Sequence, residues 1–339
     1  MVLLTGATGY LGSEIAREMI RRRRNFRVLL RHTSGPALGA ASSGPGVPDT
    51  AAEGCQIVIG DLRDAESLRQ ACQGVRQVIH TAALVKMWVR DRREFRRVNV
   101  EGLKNLCQAA TQAGVERVIY TSSFIAAGPS ADANAGEGLR HEGSPSNEYQ
   151  ASKTEALEWL HREGFRKYPV VALLPGVIYG PGPETEGNLV GGMIRQYLAA
   201  RFPGLPGSGK QRWSFAFNAD VVAAHLSALD SGRPGEEYVL GGDNRSLNAF
   251  FDLLAELSGL RQPVRHLPFW ACKTVGAVEL ARAYLTGRPP QLTPAVVEIF
   301  KHDWVYSSAK AVRELGYYVR PLKEGLSRTL SAIPRSTSA

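Results

Sequence analysis

Short apolar runs alternate with helical stripes along the first half of the chain. Val2 to Leu4 is a candidate for a buried strand, and apolar residues then recur at helical spacing at Leu11, Ile15, Met19 and Ile20. Further strand-like runs are FRVLLR (26–31), QIVIGD (56–61), QVIHTAA (77–83), RVIYTSS (117–123) and VVALLPG (170–176). Helical patterns lie between most of them, such as VEGLKNLCQAATQAG, which ends at Gly114. This alternation predicts an α/β fold with a doubly wound parallel sheet that is covered on both faces.

The pattern changes after Pro175. GPGPETEGNLVGG reads as a loop, and the remainder mixes helices with short strands such as YVLGG (238–242). We therefore predict a sheet domain over 1–176, to which segments near 213–242 return, and a smaller, partly interleaved lobe over 177–330. That lobe is expected to cover the carboxyl ends of the strands, where open α/β sheets bind ligands. The Gly/Pro-rich segment 34–54 reads as a surface loop.

Three glycines separate the first strand from the first helix. The stretch TGATGYLG places Gly6, Gly9 and Gly12 at a spacing of three residues. Free N–H groups and the positive end of the helix dipole favour an anion at such a turn, and glycines let it approach the backbone. Gly12 would also let the helix lie close to the sheet. The context predicts a Rossmann-type dinucleotide-binding turn rather than an ordinary tight turn.

Composition and charge narrow the classes of partner. The chain has 339 residues, 44% hydrophobic and 22% charged, with a net charge of +9. The arginines of 21–24 read as cations at a helix end with Asn25 as its left-handed stop. Those of 90–97 alternate with acids and read as a solvated helix face. No aromatic interleaving or known module accompanies them, so we predict no nucleic-acid partner.

The cysteines and the first residues of the chain give expectations about the cellular compartment. Cys55, Cys72, Cys107 and Cys272 show neither metal nor disulfide spacing, which favours a reducing compartment and no metal site. Because a strand is predicted from residue 2, we expect no leader, and no apolar run is long enough to cross a bilayer. The expected location is the cytoplasm, or an organelle if a leader has been removed.

Candidate chemistry lies at one strand end and one helix start. Ser122 and Ser123 end the RVIYTSS run, and Tyr149 and Lys153 share a helix face that opens after Pro145-Ser146 and closes near Gly164. A lysine ammonium beside a phenol lowers the phenol pKa from about 10 towards neutrality. With a serine hydroxyl holding a carbonyl or alcohol oxygen, this set suits proton transfer during hydride chemistry.

Taken together, these motifs resemble the extended short-chain dehydrogenase/reductase family. The resemblance runs essentially end to end, through TGATGYLG, GDLRD, HTAALV, NVEGLKNL, VIYTSSF, YQASK, LLPGVIYGPG and SSAKAVRELGY. It is strongest to the dihydroflavonol-reductase-like branch, and more narrowly to the plant farnesol dehydrogenase type. It implies an NAD(P)-dependent oxidoreductase that interconverts an apolar alcohol and its carbonyl.

The resemblance also implies a role for each matching residue. Tyr149 is the expected acid/base, Lys153 its ribose-binding partner that lowers its pKa, and Ser123 the hydroxyl that polarises the oxygen, with Ser122 as the alternative. Asn99 matches a position with a structural or proton-relay role, whereas His80 is expected to be a packed strand-end residue. The expected cofactor-binding residues are Gly6, Thr8, Gly9, Tyr10, Leu11, Gly12, Arg31, Asp61, Leu62, Ala82, Ala83, Tyr149, Lys153, Pro175 and Gly176.

In this type of fold the residue at the end of the second strand contacts the 2′ position of the cofactor's adenosine ribose, and an acidic residue there favours NAD. Here Arg31 stands at that place, followed by His32. An arginine suits a 2′-phosphate, although it can also stack on adenine. NADP is therefore preferred over NAD, and the long 34–54 segment could alter this side of the pocket.

Two other functions stay open. A nucleotide-sugar epimerase or dehydratase would need polar groups for a diphosphate, for which Lys210 and Arg212 are candidates; a non-catalytic dinucleotide sensor would not need the Ser–Tyr–Lys set. The expected partner is a small apolar substrate, with membrane contact and a homodimer left open. The apolar segment 267–292 reads first as a core helix of the lobe. The alternative is that Phe269 and Trp270 roof the substrate pocket and rest on a membrane surface.

Overall fold

The computed structural model describes residues 1–31, 54–141, 143–260 and 264–333. Its strands, in chain order, are β1 Val2–Thr5, β2 Phe26–Leu30, β3 Cys55–Ile59, β4 Gln77–His80, β5 Arg117–Thr121, β6 Val170–Pro175, β7 Val177–Tyr179, β8 Leu205–Pro206, β9 Arg212–Phe217, β10 Glu237–Leu240, β11 Asp243–Ser246 and β12 His266–Leu267.

The helices lie between these strands and after them. They are α1 Tyr10–Arg21, α2 Ala65–Cys72, α3 Arg93–Arg96, α4 Gly102–Gln112, α5 Phe124–Ala127, α6 Glu148–Trp159, α7 Phe165–Lys167, α8 Leu189–Leu198, α9 Asn218–Ser231, α10 Leu247–Ser258, α11 Phe269–Thr286, α12 Pro294–Ile299, α13 Ala309–Leu315 and α14 Leu322–Ala332. Two π-helical turns, Arg97–Glu101 and Leu160–Gly164, continue α3 and α6.

Seven strands form one parallel sheet in the order β10-β6-β5-β4-β1-β2-β3. Every pair in it is parallel, for example β1 with β2 and with β4. All residues of β1 and of β6 are buried, as expected of strands covered by helices on both faces. The predicted fold class, a Rossmann-type sheet with a smaller C-terminal lobe, is confirmed.

The second half of the chain adds two small sheets, of order β11-β9-β7 and β12-β8. It also returns to the main sheet, because β10 pairs with β6 and α9 contacts α1. These returning elements lie within the predicted 213–242 segment, while the boundary at residue 176 stays a prediction. The predicted 34–54 loop lies outside the described residues apart from Gly54, as does His32.

Two predicted helix ends are wrong. The left-handed residue after α1 is Arg23, with φ of 52°, rather than Asn25, because the chain turns before β2 begins at Phe26. The helix that carries Tyr149 does not close at Gly164: a π-helical turn passes through that glycine and the chain stays helical to Lys167. The glycine has φ of −59° there and so needs no left-handed freedom.

The expectation of a core helix over 267–292 is also wrong. In α11 only Cys272, Gly276 and Ala283 are buried, whereas Trp270 is 73% exposed and Leu285 is 87% exposed. The helix lies on the surface because one narrow edge, centred on Gly276, is enough to pack it against α12.

Candidate active site

A cavity of about 1030 Å³ opens at the carboxyl ends of β1, β4, β5 and β6. That volume is at the upper end of the range for small-molecule and cofactor sites. The predicted site residues all line it, namely Gly6, Thr8, Gly9, Tyr10, Leu11, Gly12, Arg31, Asp61, Leu62, Ala82, Ala83, Ser123, Tyr149, Lys153, Pro175 and Gly176. The structure thus brings together residues spread over 170 positions of sequence; the role of each stays a prediction.

The three glycines of the turn serve different purposes. Gly6 has φ of +82°, and a Cβ there would lie 2.5 Å from the Ala82 nitrogen. A Cβ on Gly12 would lie 2.1 Å from the Gly6 oxygen, so this glycine allows close packing of α1. At Gly9 the nearest atom to a Cβ would be 3.3 Å away. Only Gly9 is therefore left to a ligand that approaches the backbone; the other two are required by the protein's own packing.

The start of α1 suits an anion. Gly9 is its N-cap, no side chain caps it, and no acidic residue lies in its first turn. The first three residues of the helix, Tyr10, Leu11 and Gly12, line the cavity. An uncapped helix N-terminus with a bare glycine in front fits a dinucleotide pyrophosphate. The Tyr10 hydroxyl points elsewhere, donating a hydrogen bond of 3.0 Å to the Gly180 oxygen.

Charged residues gather where the adenosine half of a dinucleotide would lie. Arg31 directly follows β2, is exposed, and forms no ion pair among the described residues, although its charge contributes to lowering the pKa of the Asp61 carboxyl. Asp61, in contrast, is paired with Arg63 at 2.8 Å, and this hydrogen-bonded pair lowers the pKa of the Asp61 carboxyl. Arg63 also reaches Glu94 at 3.1 Å. Arg31 is therefore the free cation at this end of the cavity among the residues described.

The predicted reacting groups come from two neighbouring elements. Tyr149 lies in the first turn of α6, whose N-cap Asn147 accepts a 2.7 Å hydrogen bond from the Gln150 amide. Ser123 is the N-cap of α5, immediately after β5. Ser122 is 4% exposed, whereas Ser123 is half-buried at the cavity wall. The exposure favours Ser123 over Ser122 as the hydroxyl that meets a substrate.

The pKa of Tyr149 differs from the sequence expectation. Burial raises it to about 12, and a hydrogen bond with Ser123 opposes that rise. Lys153 does not lower it, because its ammonium is directed elsewhere: Nζ donates to the Thr121 oxygen at 2.8 Å and lies 4.9 Å from the centre of the Tyr120 ring. Burial also lowers the pKa of Lys153 to about 7, so that its charge is reduced near neutral pH. In the protein alone, Tyr149 is a protonated phenol.

Asn99 has a structural role. Its Oδ1 accepts from the Leu84 amide at 2.7 Å, and its Nδ2 donates to the Leu84 oxygen and to Ser152 Oγ at 2.9 Å. The π-helical turn Arg97–Glu101 contains this residue. Asn99 thereby fixes the segment that follows β4 to α6, one residue before Lys153.

His80 is packed, as predicted. It is 1% exposed, its Nδ1 lies 2.7 Å from Thr5 Oγ1, and its ring stacks on Tyr120. Burial lowers the pKa of His80 to about 3. The sequence analysis does not identify Thr5 and Tyr120, which contact His80 and so support the site. Tyr120 lies two residues before the Ser122–Ser123 pair, and this closeness to the motif is the one sequence feature that could indicate it.

The far end of the cavity is apolar, and its residues were also missed. Trp213 from β9 and Phe300 after α12 have ring centres 4.8 Å apart, and Val296 and Ile299 of α12 complete this apolar wall. Phe269 and Trp270 do not line the cavity, so the prediction that they roof it is wrong. Phe269 packs on Gly207 instead. No motif marks these residues, because they become neighbours only through tertiary packing.

The cations predicted for a diphosphate lie outside the cavity. Arg212 is paired with Asp303 at 3.0 Å and donates to the Ala131 oxygen. Lys210 lies at a separate surface cleft with Lys301 and His302. Neither side chain is placed to contact a molecule held between Tyr149 and the apolar wall.

No group of His, Cys, Asp or Glu side chains within the described residues is arranged to hold a metal ion. Within the same segments, every helix is too short or too polar to cross a membrane.

Comparison with known proteins places this geometry in context. The model of the NAD dependent epimerase/dehydratase family matches residues 2–241. The sterol demethylase protein B of Methylococcus capsulatus is 31% identical over 318 residues, covering 93% of this chain and 92% of that protein. A Synechocystis protein named "Putative dihydroflavonol 4-reductase" is 28% identical over 331 residues, covering 95% and 91%. The crystal structure of gox2253 superposes with a TM-score of 0.76 at 30% identity, covering 98% of this chain and 97% of that one.

Proposed function

Because the chain belongs to the NAD-dependent epimerase/dehydratase family and is an NAD(P)-dependent oxidoreductase of the extended short-chain type, we propose that it interconverts an apolar alcohol and its carbonyl. A sterol- or flavonoid-like ring compound is the favoured substrate class, since the two relatives described above are named for such molecules. A prenyl alcohol such as farnesol is the alternative within the same class.

One observation carries this proposal. A single cavity contains both the proton-transferring pair, Ser123 and Tyr149, and the apolar wall built on Trp213 and Phe300. If Ser123 and Tyr149 hold the substrate oxygen, the carbon skeleton of the substrate lies against the apolar wall. Apolar pockets with a few placed polar groups orient a ligand by those groups and bind it through the apolar surface.

The described residues support the following division of labour. Ser123 holds the substrate oxygen, and Tyr149, protonated at neutral pH, donates its proton to that oxygen as a carbonyl is reduced. The bound nicotinamide supplies or accepts the hydride. Lys153, whose ammonium donates to the Thr121 oxygen, binds the cofactor's ribose in this proposal. In the oxidative direction Tyr149 must first lose its proton, and its raised pKa favours that direction only at higher pH.

The nucleotide-sugar alternative loses its sequence support. Lys210 and Arg212 lie outside the cavity, and Lys86, which does line it, is paired with Glu186 at 3.7 Å. A diphosphate beside the apolar wall would therefore lack a free cation among the described residues. The alternative of a non-catalytic dinucleotide sensor does not explain why Ser123, Tyr149 and Lys153 lie together in one cavity.

A substrate panel tests the proposal. Wild-type protein is incubated with NADH or NADPH and a steroid ketone, a dihydroflavonol or farnesal, and with NAD or NADP and the matching alcohols. UDP-glucose with NAD is the nucleotide-sugar arm. We expect turnover of at least one apolar pair and none of the nucleotide sugar. Conversion of the nucleotide sugar alone would overturn the proposal, and Tyr149→Phe shows whether any turnover belongs to this site.

For the cofactor, we propose that Arg31 selects NADP. It is exposed directly after β2, lines the cavity and forms no ion pair among the described residues, and the nearby Asp61 is itself paired with Arg63. Its charge can therefore meet a 2′-phosphate. Arg31→Ala should weaken NADP binding by about 1.5–3 kcal/mol, the scale of one charge-assisted contact, and should change NAD binding little. Fluorescence titration with both cofactors measures this.

Arg63→Ala is the matched control, since that arginine lines the same end but is paired with Asp61 and Glu94. It should affect NAD and NADP alike. Equal losses for both cofactors in Arg31→Ala would mean that Arg31 packs on the adenine instead.

A further inference from the structure

Helix α11 carries an unusual distribution of polar and apolar side chains. Six residues at helical spacing form one exposed stripe, the α11 face: Trp270, Thr274, Ala277, Val278, Ala281 and Leu285. The stripe carries no charged residue. The Thr274 hydroxyl is satisfied within the helix by the Trp270 oxygen, at 3.0 Å. A surface helix normally presents the opposite arrangement, with its charged residues outward.

The charged residues of α11 are turned to its flanks and paired. Lys273 contacts Glu298 of α12 at 2.6 Å, and Arg282 contacts Glu279 within the helix at 2.7 Å. All three α11 side chains belong to half-buried residues. The exposed side of this 18-residue helix is therefore apolar, and its single carboxylate is neutralised.

Both ends of the helix are cationic. Arg265 precedes its N-terminus and Arg288 follows the Gly287 that ends it; both are exposed and neither forms an ion pair within the described residues. An apolar stripe between free cations complements an anionic lipid surface. It does not complement a second copy of itself, because parallel and antiparallel pairing both bring cation against cation.

Helix α11 also contacts two segments that carry residues of the cavity lining. Tyr284 contacts the Trp88 ring edge-on at 5.6 Å and accepts hydrogen bonds from Arg92. Between Leu84 and Arg92 lie Met87 and Val89, which line the cavity, and Met87 is 40% exposed. On its other side α11 packs on α12, whose Val296 and Ile299 form part of the apolar wall.

We propose that the α11 face docks on the surface of an anionic bilayer, so that an apolar substrate enters the cavity from the lipid past Met87. The docking itself is independent of the reaction, whereas the entry route rests on the proposed function. Trp270 and Leu285 are the main inserting residues, since they are the most exposed large side chains of the helix. Arg265 and Arg288 supply the attraction to anionic headgroups.

Vesicle co-sedimentation of the full chain tests the docking. The vesicles are phosphatidylcholine alone, or phosphatidylcholine with phosphatidylglycerol. Wild type should bind the anionic vesicles, and the double variant Trp270→Ser/Leu285→Ser should bind them roughly ten- to hundredfold more weakly, the scale of losing two large apolar contacts. Arg265→Gln/Arg288→Gln should lose the preference for the anionic vesicles.

The matched control is Tyr318→Ser/Val312→Ser, which removes one aromatic and one aliphatic side chain of 53% and 46% exposure elsewhere on the surface. It should bind like wild type. Absence of wild-type binding, or equal binding by the face variant and the control, overturns the proposal. Sedimentation velocity tests the alternative that a second copy of the chain covers the α11 face. If wild type is a dimer and the face variant is a monomer, the face is a dimer interface and the proposal is overturned.

The entry route has its own readout. With the apolar substrate dissolved in vesicles, the face variant should show a raised KM and an unchanged kcat, while a short water-soluble substrate should be turned over as by wild type. Loss of both activities would contradict the entry route. Vesicle binding without turnover of any apolar substrate would leave the docking intact and remove the proposed function.

Discussion

At the dinucleotide end of the cavity the lining comes from strand ends and from backbone, whereas at the apolar end it comes from side chains of distant segments. Gly6, Gly9 and Gly12 act through the absence of a side chain, within one turn of the chain. Trp213 and Phe300 act through their rings, and they meet from positions far apart in sequence. At the dinucleotide end, the close backbone packing restricts which residue can stand at each position. At the apolar end, only the shape and polarity of the assembled wall are restricted.

The difference has a consequence for substitution. A change at the dinucleotide end meets backbone atoms that cannot move without shifting the sheet. A change on the apolar wall meets other side chains, which can repack at modest cost. Substitutions should therefore be most damaging where chemistry and backbone packing coincide, and mildest on the wall.

Tyr149→Phe gives the largest expected effect. Only the phenolic oxygen is removed, so turnover should fall roughly 100- to 10,000-fold while cofactor binding stays nearly unchanged. Steady-state kinetics and a cofactor titration measure the two quantities. Tyr318→Phe, on the exposed surface, is the control and should be fully active. Full activity in Tyr149→Phe would remove this residue from the mechanism.

The buried Lys153 predicts a pH dependence of stability. Its pKa is lowered from 10.5 to about 7 by burial, so the folded protein loses this proton near pH 7 while the unfolded chain keeps it. Between these values unfolding takes up a proton, and the free energy of unfolding therefore rises with pH. Each unit of pKa corresponds to about 1.36 kcal/mol, which makes the rise a few kcal/mol.

Urea denaturation between about pH 6 and pH 9 checks this, with Lys153→Met as the comparison. The variant should be the more stable protein at the acidic end, and the difference should shrink as pH rises. Parallel profiles for the two proteins would mean that Lys153 keeps its proton in the folded state.

Gly12→Ala tests the backbone constraint. The added Cβ would lie 2.1 Å from the Gly6 oxygen, so α1 must move away from the turn. Overpacking of this kind costs about 1–3 kcal/mol of stability, and dinucleotide binding should weaken with it. Gly192→Ala in α8 is the control, because apart from the nearby backbone of its own helix no atom lies within 4 Å of its Cβ position. Equal stability of the two variants would show that the turn adjusts freely.

Val296→Thr gives the smallest expected effect. It keeps the shape of the apolar wall and adds a hydroxyl, so kcat/KM for an apolar substrate should fall about two- to tenfold, with cofactor binding unchanged. Val312→Thr, exposed on α13, should behave as wild type. A fall in cofactor affinity instead would mean that the two ends of the cavity are coupled.

The sequence predicted the main sheet well because each of its strands is locally readable as an apolar run. The predicted runs ended too late, as at RVIYTSS, since strand β5 ends at Thr121 and the serines leave it to face the cavity. Lys153, which belongs to the YQASK motif, lines the cavity as predicted, but the sequence does not predict the hydrogen-bond partner of its ammonium. That partner, the Thr121 oxygen, is a backbone group without any sequence signal.

Elements of the second half were harder to predict for a different reason. The apolar composition of 267–292 suggested burial, yet whether an apolar helix is buried depends on which elements are available to cover it. The π-helical turn that holds Asn99 was likewise invisible, because helical periodicity changes little over five residues.

The position of β10 at the edge of the main sheet also sets an order for folding. β6, an entirely apolar strand, pairs on one side with β5 and on the other with β10, whose residues lie more than sixty positions later in the chain. During synthesis, β6 stays an open edge until Leu240 has left the ribosome, and open apolar edges pair with other chains. We therefore expect a chain that ends before β10 to associate with other chains more readily than the full chain does.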